Sequence, residues 1–208
     1  MDNTMIRKRL GRRLDACWLG PLGLAGVMAL AAHAQAQVQV VSQAPIGSAP
    51  YGIYAEAGRT TGSSRADAVA LGWVWRFGQE YALWGGLLSG YGDAFVSDWR
   101  ARRMRNGDYV NYTQFGLMAA ARYRFDQGRS PWFFDAVMGV STMNQRYQTP
   151  ELGFSTRFQF TPALSMGRNF GPDGVHEVAL RVAHYSNGGL RSPNPSENFL
   201  RLRYVYRF

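Results

Sequence analysis

The sequence contains almost no cysteine and almost no lysine. Cys17 is the one cysteine and Lys8 the one lysine in 208 residues, and both lie near the N-terminus. Beyond the first 36 residues there is therefore no thiol, which excludes disulfides and cysteine-based metal sites from that part of the chain. Every basic residue there is arginine, whose planar guanidinium group binds phosphate through paired hydrogen bonds. This composition suits a surface in contact with phosphorylated lipid.

Long apolar runs are also missing, apart from the 15-residue stretch Trp18–Ala32. That stretch is shorter than the ~20 residues of a membrane-spanning helix, so a helical membrane protein is excluded. It is followed by the small-residue triplets Ala32-His33-Ala34 and Ala34-Gln35-Ala36, and it is preceded by five basic residues, Arg7, Lys8, Arg9, Arg12 and Arg13. This is the pattern of a secretory signal peptide with an A-x-A cleavage site. We predict a cleaved signal peptide over residues 1–36, with a boundary uncertain by two residues, and a single domain over residues 37–208.

The charge of the chain remains basic without this leader. The leader holds five basic and two acidic residues, so the formal net charge falls from +9 to +6 when it is removed. Nucleic acid is a common partner of basic chains, but an exported chain rarely meets it. We therefore expect outer-membrane lipids as partners and no nucleic acid.

The rest of the chain repeats one pattern, in which about ten residues of alternating character are followed by a turn. In the second segment Val69, Leu71 and Trp73 alternate with Ala68, Ala70 and Gly72. Such alternation with aromatic ends is typical of transmembrane β-barrels. The eight predicted strands are Tyr51–Arg59, Ala66–Phe77, Tyr81–Tyr91, Tyr112–Phe125, Trp132–Asn144, Phe154–Arg168, His176–Ser186 and Asn198–Phe208.

A soluble β-sandwich also alternates, but three features favour a barrel. The aromatic content of 14% is high, and the apolar faces are too long for a core of this size. The chain also ends in Phe208, preceded at every second position by an apolar or aromatic residue, and this ending resembles the strand that the outer-membrane assembly machinery recognises. Only a closed sheet leaves no unpaired backbone groups in lipid. We predict an all-β fold, an eight-stranded antiparallel transmembrane β-barrel of the outer membrane.

The connections between the predicted strands indicate how the barrel is oriented. Short joins face the periplasm and long loops face outward in such barrels. The predicted short joins are Gly78–Glu80, Asp126–Ser130 and Asn169–Val175, and the longer ones are Gly92–Val110, Gln145–Gly153 and Asn187–Glu197. The end of the seventh strand, at residues 184–186, should therefore lie at the outer leaflet.

Two polar residues continue the lipid-facing row of the seventh strand. His184 and Ser186 share the parity of Val178, Leu180 and Val182. Ionisable residues in such a position are functional candidates. Their Cα atoms should lie about 6.6 Å apart, close enough for the imidazole to act as the base that a serine nucleophile needs. The alternative is a pair of residues that only bind lipid headgroups or water.

The loop after Ser186 contains further candidate catalytic groups. Asn187 offers a side-chain amide and Gly189 an uncovered backbone N–H, the groups that an oxyanion hole requires. The alternative is a plain turn, because Asn-Gly is a common turn dipeptide. Glu197 is the nearest carboxylate that could return to orient His184, although it could equally be a solvated loop acid.

These residues resemble the lipid A 3-O-deacylases (PagL). The resemblance rests on His184-Tyr185-Ser186-Asn187-Gly188-Gly189, followed by Pro193-Asn194-Pro195 and an acid, and it is strong over Val182–Phe208. Ser196 departs from it, since a glycine is expected there. The resemblance implies an enzyme at the outer leaflet that hydrolyses the 3-O-linked ester of lipid A in lipopolysaccharide and releases a 3-hydroxy fatty acid. It assigns Ser186 as nucleophile, His184 as base, Glu197 as orienting acid, and Asn187 and Gly189 as oxyanion donors, with no metal or cofactor.

Other functions are consistent with parts of this pattern. Outer-membrane phospholipase A uses a His-x-Ser pair, but on a barrel of about twelve strands and with calcium. A non-catalytic structural or adhesion barrel explains the fold but not the polar pair on the lipid face. The basic residues Arg100, Arg102, Arg103 and Arg105 could clamp lipopolysaccharide phosphates, or form a generic basic loop. A homodimer stays open.

Overall fold

The computed structural model describes residues 45–102 and 108–208 of the chain. The predicted signal peptide at residues 1–36 lies outside the described residues. The described part folds into antiparallel strands, each paired with its neighbours in the chain. The strands are β1 (Tyr51–Thr60), β2 (Asp67–Leu83), β3 (Gly86–Arg102), β4 (Tyr109–Arg124), β5 (Trp132–Met143), β6 (Phe158–Phe160), β7 (Ala163–Phe170), β8 (His176–Tyr185) and β9 (Glu197–Arg207).

The sheet closes on itself, because β1 pairs with β9 over Gly52–Thr60 while β4 pairs with β5. Strands β6 and β7 both pair with β5 and form the two halves of one barrel strand. The predicted eight-stranded antiparallel barrel is therefore confirmed. No helix in the described ranges has the length and apolar character needed to span a membrane.

The sixth barrel strand is interrupted at Thr161 and Pro162, where a continuous strand over Phe154–Arg168 was predicted. Proline has no backbone N–H and cannot donate to a sheet ladder. Its carbonyl oxygen instead accepts a hydrogen bond of 2.9 Å from the backbone N–H of His184. The irregular point of the barrel therefore lies directly beside His184.

The second and third strands are longer than predicted. A turn was predicted at Gly78–Glu80, but the chain forms a bulge there and turns at Trp84-Gly85, where both residues have positive φ (48° and 75°). Positive φ at both central residues is the geometry of a type I′ hairpin, which tryptophan rarely adopts and the sequence did not indicate. The predicted outer loop Gly92–Val110 was also wrong in its extent, since β3 continues to Arg102.

The two faces of the barrel have opposite chemistry. Large apolar side chains point outward and are exposed, among them Leu71 at 63% and Leu117 at 60%, whereas most buried polar groups are charged or amide side chains that point inward. A soluble domain has the reverse arrangement. The outer wall is therefore the lipid-facing surface that the alternation predicted.

Ion pairs fill the lumen. Arg203 contacts both Glu56 and Asp93 at 2.6 and 2.7 Å, and Arg122 contacts both Asp135 and Glu177 at 2.8 and 2.7 Å. Buried charges persist only when they are paired in this way. The interior is thus a packed polar core.

Aromatic rings close the outer end of this core. Trp99 of β3 lies 4.4 Å from the ring of Phe199 and 4.7 Å from that of Tyr185. Tyr147 and Phe154, from the long loop between β5 and β6, pack on the same cluster. The cluster anchors this loop above the barrel, next to the end of β8.

Candidate active site

Ser186 and His184 lie side by side on the outer wall. Nε2 of His184 is 3.2 Å from Oγ of Ser186, and both residues are half-buried. Ser186 directly follows β8 and exchanges two backbone hydrogen bonds with Phe160, of 2.7 and 3.3 Å. The serine is therefore held by sheet pairing on one side, and its hydroxyl group is within hydrogen-bond distance of a base.

Asn198 orients the imidazole ring of His184. Oδ1 of Asn198 is 2.8 Å from Nδ1 of His184. An amide oxygen only accepts hydrogen bonds, so Nδ1 carries the ring proton and Nε2 is left as the acceptor for the Ser186 hydroxyl. Ser186, His184 and Asn198 thus form a chain of a hydroxyl, an imidazole and an orienting oxygen, which has the arrangement of a serine-hydrolase triad.

Glu197 does not hold the position predicted for it. It pairs with Tyr185 rather than His184 and points into the top of the lumen, where it is 3% exposed. The Ser64 hydroxyl donates to its carboxylate, and the Tyr147 hydroxyl donates to it at 3.4 Å. Burial raises the pKa of the Tyr147 hydroxyl above its ordinary value, so that group remains protonated as a donor. The prediction of Glu197 as the group that contacts His184 is wrong for this geometry.

The sequence contained the signal that identifies Asn198. Leu200, Leu202, Tyr204 and Tyr206 assign the even positions of the last strand to the lipid face, which is also the face of His184. Asn198 has that parity and Glu197 has the opposite one. Glu197 is the nearest carboxylate in the sequence, but the alternation of the strand places Asn198, and not Glu197, on the face of His184.

Asn187 and Gly189 are already engaged within their own loop. Nδ2 of Asn187 donates to Oγ of Ser155 at 2.7 Å and to the carbonyl oxygen of Arg191 at 2.8 Å. Its Oδ1 accepts the backbone N–H of Gly189 at 2.8 Å. The two predicted oxyanion donors therefore shape the loop in this structure, and they have no hydrogen free for a substrate.

The predicted arginine clamp lies far from Ser186. Arg100 and Arg102 are on β3 and stack on Tyr109, with guanidinium carbons 4.6 and 5.8 Å from the ring centroid. In a ring of eight strands, β3 is four strands from β8 in either direction, so these residues are on the opposite side of the barrel. Arg103 and Arg105 lie outside the described residues. A role of Arg100 and Arg102 in clamping lipopolysaccharide phosphates stays a prediction, and their placement puts any such contact on the side of the barrel opposite Ser186.

The described residues contain no group of three or more histidine, cysteine, aspartate or glutamate side chains that could hold a metal ion. The available chemistry is that of Ser186, His184 and Asn198. A serine hydroxyl beside an oriented imidazole is a nucleophile and general base, suited to acyl transfer from an ester. Because the pair lies on the lipid-facing wall, the ester must reach it from the membrane rather than through the lumen.

Fold and site together define a class: a small outer-membrane β-barrel with a serine–histidine pair on its outer wall. The model of the family "Lipid A 3-O-deacylase (PagL)" matches residues 67–207, and the chain belongs to this family.

Individual relatives agree with this assignment. Over 51 residues the chain is 35% identical to the lipid A deacylase PagL of Bordetella bronchiseptica, an alignment that covers 24% of this chain and 28% of that relative. It thus spans little more than a quarter of the length of this curated relative. The crystal structure of the outer membrane enzyme PagL matches with a TM-score of 0.63 and 23% identity, covering 76% of this chain and 99% of that one. At this identity the structural match shows the fold.

Proposed function

We propose that this protein hydrolyses the 3-O-linked acyl ester of lipid A in the outer leaflet and releases a 3-hydroxy fatty acid. The observation that carries the proposal is the 3.2 Å contact between Nε2 of His184 and Oγ of Ser186 on the lipid-facing wall. Family membership supports lipid A as the substrate. Ionisable residues at a lipid-facing position are costly and usually functional, which favours an enzyme over a structural barrel.

The reaction follows from the roles of the three side chains. Nε2 of His184 takes the hydroxyl proton as Oγ of Ser186 attacks the ester carbonyl carbon, and a tetrahedral oxyanion forms. The C–O bond to the sugar breaks, and the imidazolium gives its proton to the sugar oxygen at position 3. Water, deprotonated by the same imidazole, then attacks the acyl-serine. The bond between the acyl carbon and Oγ of Ser186 breaks, Oγ takes the proton back from the imidazolium, and the fatty acid is released. Asn198 keeps the ring in the tautomer that both steps require.

The backbone N–H of Gly188 is our candidate for stabilising the oxyanion. It lies two residues after Ser186 and has no acceptor within the described part of the chain, whereas the N–H groups of Ser186, Asn187 and Gly189 all have one. Gly188 has a φ of +63°, the left-handed conformation that glycine adopts without strain. A preorganised backbone donor of this kind accelerates ester hydrolysis because it meets the charge that develops in the transition state.

Mass spectrometry of lipid A from cells with and without the protein tests the proposal. Expression of the unmutated protein should remove one 3-hydroxyacyl chain from lipid A and leave both of its phosphates in place. Ser186→Ala, expressed to the same level in the outer membrane, is the control and should leave lipid A unchanged. An unchanged spectrum with the unmutated protein would instead support a structural barrel, and loss of acyl chains from phospholipids would support a phospholipase.

A further inference from the structure

A polar cleft lies at the outer rim, where the loop between β5 and β6 meets the loop between β8 and β9. Its volume is about 630 Å³, and its lining includes three exposed arginines, Arg146, Arg157 and Arg191. Within the described part of the chain no acidic residue lines it; its other lining residues are neutral and polar. Three guanidinium groups around one cleft form a site for an anion with several oxygens, such as a phosphate group.

This cleft is connected directly to the catalytic serine. Ser155 lines the cleft, and its Oγ accepts a hydrogen bond of 2.7 Å from Nδ2 of Asn187, the residue after Ser186. The same Nδ2 donates to the carbonyl oxygen of Arg191. A ligand held by Arg191 would therefore be in contact with the loop that carries the nucleophile.

An apolar groove lies on the outer wall beside the strands β5 and β6. It runs across β2 to β6, has a volume of about 700 Å³ and is lined by no ionisable residue. Thr142 and Phe158 lie at its edge. Two residues of the cleft are next to them in the chain: Asn144 follows Thr142 by two residues, and Arg157 directly precedes Phe158. The polar cleft and the apolar groove are therefore adjacent on one side of the barrel.

We propose that the cleft and the groove together bind a phosphorylated glycolipid, with a phosphate group on Arg146, Arg157 and Arg191 and an acyl chain along the groove. This inference rests on the proposed function, in which that glycolipid is lipid A with its ester at Ser186. The two chemistries match the two parts of such a molecule. The cleft and the end of the groove at Phe158 lie next to Ser186, because Phe160 of the same short strand β6 pairs with Ser186, and the groove leads from there around the barrel toward β2. The phosphate site thus lies beside the catalytic loop rather than at Arg100 and Arg102 on β3.

The test measures binding in the Ser186→Ala background, so that no turnover is required. The probes are bisphosphorylated lipid A and the same lipid after removal of its phosphates, each titrated against the purified barrel in detergent micelles. Arg146→Gln combined with Arg157→Gln should weaken binding of the bisphosphorylated lipid about tenfold or more, because two charge-assisted contacts are lost. Binding of the dephosphorylated lipid should change little.

Arg100→Gln combined with Arg102→Gln is the matched control, since it removes the same charge from the same rim on the opposite side. This control should bind bisphosphorylated lipid A as the parent does. The proposal is overturned if both double variants lose affinity equally, if neither does, or if the parent binds both lipids equally well. Arginine-dependent binding without any deacylation by the unmutated enzyme would leave the binding site intact and reject the proposed function instead.

Discussion

The third member of the site is a neutral amide, and this has consequences for the chemistry of His184. Oδ1 of Asn198 orients the ring at 2.8 Å, as a carboxylate would. It brings no negative charge to balance the imidazolium that forms when Ser186 loses its proton. Orientation and charge compensation are therefore separable here, and substitutions at Asn198 can measure each.

Asn198→Ala should lower kcat about 10²-fold, because the ring loses the acceptor that holds its tautomer. Asn198→Asp keeps an acceptor and adds the missing charge, so it should be at least as active as the parent. Steady-state kinetics on detergent-solubilised lipid A would measure both. Unchanged turnover in Asn198→Ala would show that the contact does not matter for catalysis.

Glu197→Gln, at the position next to Asn198, is the comparison for the Asn198 variants. Its carboxylate contacts Ser64 and Tyr147 in the lumen and has no contact with the imidazole in this structure. The substitution should therefore lower the free energy of unfolding by about 1 kcal/mol and leave kcat per folded barrel close to the parent. A loss of kcat as large as that of Asn198→Ala would show that Glu197 contributes to catalysis.

Ser186→Ala and His184→Ala should each reduce turnover by at least about 10³-fold, since nucleophile and base act as a unit. Both side chains are on the outer wall, outside the packed lumen, so both variants should assemble as heat-modifiable barrels. Gel mobility with and without boiling checks the fold, and lipid A mass spectrometry checks the activity. Near-normal deacylation by folded Ser186→Ala would show that the nucleophile lies elsewhere.

At the level of the strands, the alternation of apolar and polar residues predicted which side chains face lipid. The glycines, in contrast, did not predict where the strands end. The period of two identified the lipid-facing rows, including that of His184 and Ser186. Gly78 and Gly92 were interpreted as turn residues, but Gly78 lies at a bulge and Gly92 inside β3. A glycine within a strand can mark close packing as well as a turn, and one sequence does not separate the two. The contacts of the loop residues Asn187 and Gly189 could likewise not be predicted from the spacing of residues in the sequence.

Gly92 illustrates such close packing. A Cβ atom there would lie 2.2 Å from the indole ring of Trp75 on β2. Gly92→Ala should therefore cost about 1–3 kcal/mol of the free energy of unfolding. The measurement is urea unfolding of the barrel in detergent. Trp75→Ala should make the second substitution tolerable, so the double variant should lose less than the two single losses combined.

For the whole molecule, the position of the site on the wall separates catalysis from the interior of the barrel. The reaction proposed here uses the Ser186–His184 pair as nucleophile and base, so activity in detergent should survive excess EDTA. The same assay, with calcium added back after EDTA, tests the alternative that the protein is a phospholipase. Complete loss with EDTA that calcium alone restores would favour that alternative.

The lumen network should govern stability without entering the chemistry. Arg203 lies 2.6 Å from Glu56 and 2.7 Å from Asp93, whereas Arg181 approaches the same two carboxylates only to 3.7 Å each. Removing one partner of a buried ion pair leaves an uncompensated charge, which typically costs about 3–5 kcal/mol. Arg203→Met should therefore lower the free energy of unfolding by about that amount, and Arg181→Met by less.

Both arginine variants should keep the turnover of the parent when activity is expressed per folded barrel. The reason is geometric, because the two side chains point into the lumen while Ser186, His184 and Asn198 are on the outward-facing row of their strands. Urea unfolding in detergent and lipid A deacylation on the same preparations give the two quantities side by side. If Arg181→Met destabilises the barrel more than Arg203→Met, contact distance does not rank these pairs. If either variant folds fully but loses turnover, the interior of the barrel is coupled to the site on its wall.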